Sequence, residues 1–238
     1  MKRILITGGS RGIGAACVRA FSDGENKVAF IYGSSDRLAA EMQNEYNAIP
    51  IKADLSDINE IKNAATWATN ALGGIDILVN NAGVSNIGLF NDLSDDDWQR
   101  LLNINLSSTV LLTRELSKHM ISQHYGRIIN VGSVWGRCGA SCEVAYSATK
   151  SALRGFTMAL AKELGPSGIT VNCVEPGVIK TQMNDCFDED TIEQLKEETP
   201  VCRLGEPYEV AELIRFLASD KAAFITGQCI GIDGGFGL

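Results

Sequence analysis

RILITGGSRGIG, residues 3–14, decides how the rest of the chain is read. The apolar run Ile4-Leu5-Ile6 stops at Thr7 and gives way to Gly8, Gly9, Gly12 and Gly14, and a helical pattern starts at Ile13. Glycines allow a tight turn and let the backbone come close to a phosphate group. The helix that follows offers unbonded N–H groups and the positive end of its dipole. The spacing is G-x-x-x-G-x-G rather than the strict G-x-G-x-x-G of the usual dinucleotide turn, but the physics is the same. The alternative is a glycine-rich strand–helix turn without a ligand. Placement after the first strand favours a pyrophosphate cradle built from Gly8, Ser10, Arg11, Gly12, Ile13 and Gly14.

From that turn outward, short β-rich runs alternate with longer helical patterns. Strands are expected at 3–7, 27–32, 49–53, 75–80, 127–132, 170–175 and 228–232, and helices at 13–22, 37–46, 58–72, 98–123, 143–163 and 209–218. Runs such as Ile77-Leu78-Val79 and Ile128-Ile129-Asn130-Val131 are nearly continuous in apolar residues, as strands covered on both faces are. Alternation from end to end predicts an α/β fold. It is a doubly wound (Rossmann) parallel sheet of seven strands with helices on both faces, and residues 1–238 form a single domain. One interval breaks the rhythm. Residues 180–207 carry Asp185, Asp188, Glu189, Asp190 and a polar helix at 193–198, closed by Pro200 and Pro207. Such an insertion past a strand's carboxyl end is either a solvated excursion or a substrate lid, placed at about 182–206.

Composition removes several function classes. The 238 residues are 45% hydrophobic and carry a formal charge of −8, which argues against a nucleic-acid or anionic-membrane grip. Met1-Lys2-Arg3 leads within a few residues into the glycine turn, so no signal peptide is expected, nor is any run long enough to span a bilayer. Seven scattered cysteines read as a reduced, cytoplasmic set. Cys138 and Cys142 lack the second Cys pair or nearby histidines of a zinc site, and no metal is expected.

The second strand ends in Tyr32, where an acidic residue would accept the ribose 2′-OH of NAD. Gly33, Ser34 and Ser35 follow, and Asp36 reads as the start of a helix. The guanidinium groups of Arg11 and Arg37, with the serine hydroxyls, can instead hold a 2′-phosphate, so the expected cofactor is NADP(H), with Ser34 and Arg37 among its contacts. Asp54-Leu55 after the third strand either accepts the adenine amino group or caps a helix. Asn80-Asn81-Ala82-Gly83 closes the fourth strand with amides and a glycine, suited to backbone packed against a ribose.

Toward the other end, Ser133 closes the fifth strand, and Tyr146 and Lys150 follow four residues apart. Residues i and i+4 share a helix face, so the phenol and the ammonium project together. Asn105 lies inside an apolar helical pattern where an amide is out of place, and Pro176-Gly177-Val178-Ile179-Lys180-Thr181 leaves the sixth strand.

With these residues in order the chain resembles the short-chain dehydrogenase/reductase family, and within it the bacterial 3-oxoacyl-acyl-carrier-protein reductases. The likeness runs through Thr7–Gly14, Asp54, Asn80–Gly83, Asn105, Ser133, Tyr146-x-x-x-Lys150, Pro176-Gly177, Arg203-Leu204-Gly205 and Asp233-Gly234-Gly235. The resemblance implies that Tyr146 donates a proton to a carbonyl oxygen as hydride arrives from the nicotinamide. Ser133 orients that carbonyl, and Lys150 holds the ribose hydroxyls. Asn105 bends its helix into a proton relay. Ile179 meets the carboxamide through its backbone, and Pro176, Gly177 and Thr181 hold the cofactor as well. Bringing a phenol from ~10 to ~7 requires roughly 4 kcal/mol, for which Lys150 and the oxidised nicotinamide are the available charges.

The implied reaction is reduction of a 3-oxoacyl thioester to its 3-hydroxy form, in fatty-acid synthesis. Other ketones, sugars or secondary alcohols are alternative substrates, and a silent NADP-binding module is a further alternative. Members that act on an acyl carrier protein carry basic residues where this chain has His124 and Ser167. Carrier docking would therefore rest on Lys118, Arg127 or Arg137, and an acyl-CoA is also a candidate. Glu175 before Pro176 is either a satisfied strand-end residue or a substrate contact. Small residues along the 143–163 helix, with the family likeness, imply a homotetramer.

Overall fold

The computed structural model describes residues 1–185 and 187–237. Its elements in chain order are β1 (Arg3–Thr7), α1 (Gly12–Phe21), β2 (Lys27–Tyr32), α2 (Asp36–Tyr46), β3 (Ile49–Lys52), α3 (Ile58–Leu72), β4 (Ile77–Asn80), α4 (Asp95–Leu102), α5 (Ser108–Ser122), β5 (Gly126–Val131), the single turn α6 (Trp135–Cys138), α7 (Val144–Leu164), β6 (Ile169–Pro176), α8 (Glu189–Glu197), α9 (Pro207–Ala218) and β7 (Cys229–Ile232). The strands are parallel and lie in the order β3-β2-β1-β4-β5-β6-β7. Winding reverses between β1 and β4, so the crevice for a ligand opens at the carboxyl ends of that pair.

Period-two alternation within the apolar strands feeds two cores. Ile4, Ile6, Val28, Phe30, Val79 and Val131 point to one face and pack under α1, α2 and α9. Leu5, Ala29, Ile31, Leu78, Ile128 and Val171 point to the other and pack under α3, α5 and α7. This is why the strands read as unbroken hydrophobic runs: each face has its own layer of helices. Between them, Asn80 donates to Asn130 Oδ1 (2.9 Å) and Thr113 Oγ1 (3.0 Å), and Asn130 donates to Thr157 Oγ1 (2.9 Å). The sheet's buried amides are thereby tied to α5 and α7.

Most expected elements recur with ends shifted by one or two residues, as fraying ends do. Two expectations change. The helix read as 98–123 is three pieces: α4, a π-helical turn at Asn103–Ser107, and α5. The polar helix read at 193–198 is α8, at Glu189–Glu197, because Asp188 accepts the Thr191 N–H (2.9 Å) and starts it earlier. Among the described residues no helix is long and apolar enough to cross a membrane.

Candidate active site

The glycine turn is shaped by what its side chains would strike. Gly8 (φ +68°) and Gly12 (φ +54°) adopt left-handed backbone. A Cβ on Gly14 would overlap the Gly8 carbonyl oxygen and sit 2.6 Å from Asn81 Nδ2. The start of α1 can therefore press against the end of β1 only with glycine there. Thr7 Oγ1 accepts both the Asn81 and the Ala82 N–H (2.9 Å each), and Asn81 Nδ2 donates to the Thr7 carbonyl (2.9 Å). That stitch joins β1 and β4 at the switch point. Thr7 had no expected role, although a hydroxyl at the end of β1 was a legible signal.

Across the turn, Thr181 lies over Gly12, where an added Cβ would meet its methyl at 3.3 Å. Asn184 Nδ2 holds the Ile179 carbonyl (2.7 Å), and the neighbouring Lys180 and Gly205 amides bond to Gly205 and Val178. The Ile179 N–H has no partner among the described residues, consistent with a backbone donor for a carboxamide. Gly177 bonds to the Ile232 carbonyl (3.1 Å) and packs on Asp233, while Pro176 offers its carbonyl to Val134.

At the ribose end the arrangement differs from the expected pair of arginines. Arg37 is turned onto Glu41 (2.6 Å), one helical turn away. Asp36, at the first position of α2, is held by Lys52 Nζ (2.8 Å) and by the Tyr32 hydroxyl (3.1 Å). The Lys52 bond, then the Tyr32 bond, keeps the Asp36 carboxyl below its ordinary range. Arg11 caps α1 with extended backbone and makes no ion pair among the described residues. Ser34 and Arg11 are exposed here, and Lys52 is the cation that sequence reasoning missed. It lies at the end of β3, which pairs in register with β2, so only the sheet brings it to Asp36. Asp54 accepts both the Ser56 amide (2.9 Å) and hydroxyl (2.8 Å), Asp57 caps α3, and Leu55 is buried.

The reactive residues meet at the carboxyl ends of β4 and β5. Asn105 is fully buried in the π turn. Its amide clamps residue 84, accepting the Val84 N–H (2.8 Å) and donating to the Val84 carbonyl (2.9 Å). A second bond reaches Thr149 Oγ1 (3.2 Å), which donates to the Tyr146 carbonyl (2.8 Å). The bend in the helix is thus fastened to the segment after β4 and to α7. Lys150 Nζ donates to the Val131 carbonyl (2.8 Å) and stands 5.7 Å from the centre of the Tyr146 ring. A Cβ on Gly83 would lie 3.3 Å from that nitrogen, so β4's glycine borders the lysine directly. The Ser133 hydroxyl neighbours the Tyr146 phenol, and all of Ser133, Tyr146 and Lys150 are buried.

Burial dominates their electrostatics. Desolvation pushes Tyr146 up to about 12, against the neighbouring Ser133 hydroxyl, which favours the phenolate, and with Glu143 adding to the rise. Burial also lowers Lys150 from 10.5 to about 8. The expected acid phenol is therefore not produced by the chain's own groups. Lys150 is spent on a backbone carbonyl, and loss of hydration outweighs one hydroxyl. Glu175, left open between two readings, is a strand-end residue ion-paired to Arg154.

Comparison with known proteins fits this geometry. A family model described as enoyl-(acyl carrier protein) reductase matches residues 8–237. A 3-oxoacyl-[acyl-carrier-protein] reductase of Aquifex aeolicus is 40% identical, over 97% of this chain and 95% of that one. An acetoacetyl-CoA reductase of Shinella zoogloeoides is 40% identical, over 99% and 98%. A short-chain dehydrogenase of Burkholderia cenocepacia, solved in complex with NADP, superposes with a TM-score of 0.93 at 34% identity, over 100% of this chain and 98% of its own. Sharing both sequence and fold with these proteins along nearly its whole length, the chain belongs to the short-chain dehydrogenase/reductase family.

Proposed function

We propose that this oxidoreductase reduces a 3-oxoacyl thioester to the 3-hydroxyacyl form with NADPH. The observation that carries the reading is the buried Ser133–Tyr146–Lys150 group at the carboxyl ends of β4 and β5, one strand from the glycine turn that follows β1. The turn, the Thr7 stitch and the Ile179 N–H, which has no partner among the described residues, fit a dinucleotide's pyrophosphate and carboxamide. When bound, the cofactor supplies the hydride and, once oxidised, a positive charge beside the phenol.

The chain's residues do the rest. Ser133 Oγ holds the carbonyl oxygen, and Tyr146 Oη gives it a proton. Lys150, with a low affinity for its own proton, restores that proton and grips ribose hydroxyls. Asn105 keeps α4 and α5 bent so that Val84 and Thr149 stay in register with α7. Exclusion of water by the buried site strengthens each of these interactions. The described residues of the segment at about 182–206, where α8 has no fully buried residue, form the lid over the substrate.

NADPH is favoured over NADH because Asp36 is neutralised by Lys52 and does not repel a 2′-phosphate, while Arg11 is free to pair with one. The thioester class follows from the relatives' substrates. The CoA form is favoured over the carrier-bound form because the cations available for docking an acidic carrier are engaged. Lys118 pairs with Glu115 (2.5 Å), Arg137 with Asp233, and Arg127 is buried against Tyr125 and Asp220. The small residues along α7 support a homotetramer. Nicotinamide absorbance, followed with acetoacetyl-CoA, a carrier-bound 3-oxoacyl chain and a panel of simple ketones, tests the reading. Turnover of ketones with none of either thioester would dismiss it.

A further inference from the structure

Cys173 and Glu175 lie two apart on β6, so their side chains share one face of the sheet. Cys229 on β7 is the direct partner of Cys173 in the parallel register and shares that face. The two sulfurs and a Glu175 carboxylate oxygen all lie within 4.8 Å of one another. Cys173 and Glu175 are buried, whereas Cys229 is only half-buried, at the last strand of the sheet. The catalytic group does not use any of the three.

A second observation points to a ligand. Glu175 Oε1 accepts from Arg154, but Oε2 is buried and has no hydrogen-bond partner among the described residues. A carboxylate oxygen left bare inside a protein costs on the order of 1–3 kcal/mol or more, so such an atom calls for a cation or a donor. The Cys173 thiol donates only weakly, to the Val174 carbonyl oxygen (3.8 Å), and lies beside the Cys229 sulfur. Two soft sulfurs and one hard oxygen converging on one point suit a borderline-soft divalent ion, not magnesium or calcium.

We propose that Cys173, Glu175 and Cys229 form a binding site for Zn²⁺, with the fourth position open to solvent on the Cys229 side. Zinc bonds of ~2.3 Å to sulfur and ~2.0–2.2 Å to oxygen place tetrahedral ligands roughly 3.5–3.8 Å apart, so small side-chain rotations close the observed cluster onto an ion. On binding, Cys173 and Cys229 each release a thiol proton to solvent and Oε2 acquires a partner. Arg154 keeps hold of the other carboxylate oxygen, as metal-ligating carboxylates are commonly held. Lys150 and Arg154, the cations nearest the cluster, offset part of the charge of two thiolates and a carboxylate. The site backs onto the strand end that carries Ser133: Cys173 Sγ lies where a Cβ on Gly132, just before Ser133, would come within 2.8 Å. It is independent of the substrate assigned above.

The test uses the full-length, reduced, chelator-stripped protein under anaerobic conditions, with Co²⁺ as the optical probe and Zn²⁺ as competitor. The expected result is a thiolate-to-cobalt charge-transfer band that saturates at one equivalent and is erased by Zn²⁺. The melting temperature should climb with the logarithm of free Zn²⁺. Cys229→Ser removes the band, Glu175→Gln weakens Co²⁺ binding by more than ~10-fold, and Ser at Cys138, Cys142 and Cys202 leaves it unchanged. A reduced protein without the band, or a band that survives Cys229→Ser, overturns the proposal. If Cys229→Ser fails to fold, unaltered affinity in Glu175→Gln overturns it equally. So does recovery of a Cys173–Cys229 disulfide in place of bound metal when stripped protein is offered Zn²⁺ in air.

Discussion

Replacing Lys150 by Met should make the unliganded fold more stable while destroying turnover. The lysine is buried and its pKa falls from 10.5 to about 8. At about 1.36 kcal/mol for each tenfold change in proton affinity, that is a burden of roughly 3 kcal/mol on the folded state. The sign follows from linkage. Below pH 8 both folded and unfolded chains carry the proton, so the full burden is present. Between pH 8 and 10.5 the folded lysine is neutral while the unfolded one is still charged, and the burden shrinks. At pH 9.5 about 1 kcal/mol remains. Methionine removes the charge at similar length but strips the Val131 carbonyl of its 2.8 Å donor, at a cost of about 1 kcal/mol. The net expectation is a gain of about 2 kcal/mol at pH 7 that fades to almost nothing at pH 9.5. Urea unfolding followed by circular dichroism, at matched protein concentration and without cofactor, measures it at both pH values. A Met variant less stable than the parent at pH 7, or a difference indifferent to pH, would refute the reasoning that burial of an unpaired cation sets this residue's proton affinity.

Three further outcomes follow from the same geometry. Tyr146→Phe keeps the ring and its packing but removes the proton, so kcat should fall by ~10²–10⁴-fold with little change in urea midpoint; unaltered steady-state turnover would remove Tyr146 from the chemistry. Gly14→Ala drives a methyl into the Gly8 carbonyl and Asn81, so NADPH binding by calorimetry should be lost or weakened at least ~10-fold and the fold destabilised by about 1–3 kcal/mol; an undisturbed Kd would mean the turn does not hold the cofactor. Asn105→Ala leaves the Val84 N–H and carbonyl unpaired beside a buried cavity, costing about 2–4 kcal/mol in thermal or urea unfolding; a cost under about 0.5 kcal/mol would show that the π turn stands without its amide.

The order of strands and helices was legible in the sequence because each carries its own local signal. Apolar runs such as Ile4–Ile6 and Ile128–Val131 need cover on both faces, and the glycines after Thr7 permit a turn that other residues resist. The i, i+4 spacing of Tyr146 and Lys150 likewise belongs to any helix. Asn105 stood out as an amide in an apolar pattern, yet the pattern could not tell that the helix would split there. The split depends on Val84, which the chain brings up from the far side of β4.

What the sequence by itself determined, then, is everything decided within one turn or one strand: element type, the glycine cradle, and the helix that presents phenol and ammonium together. The tertiary structure alone decided the rest. It paired Asp36 with Lys52 instead of leaving Arg37 as the cation, spent Lys150 on the Val131 carbonyl, and gathered Cys173, Glu175 and Cys229 on one face of adjoining strands. Burial raises the Tyr146 pKa, so the chain's own groups do not supply the lowering expected with the oxidised nicotinamide. Partner choice and proton affinity depend on distance and hydration in three dimensions, and residues far apart in the chain acquire both only when the sheet closes over them.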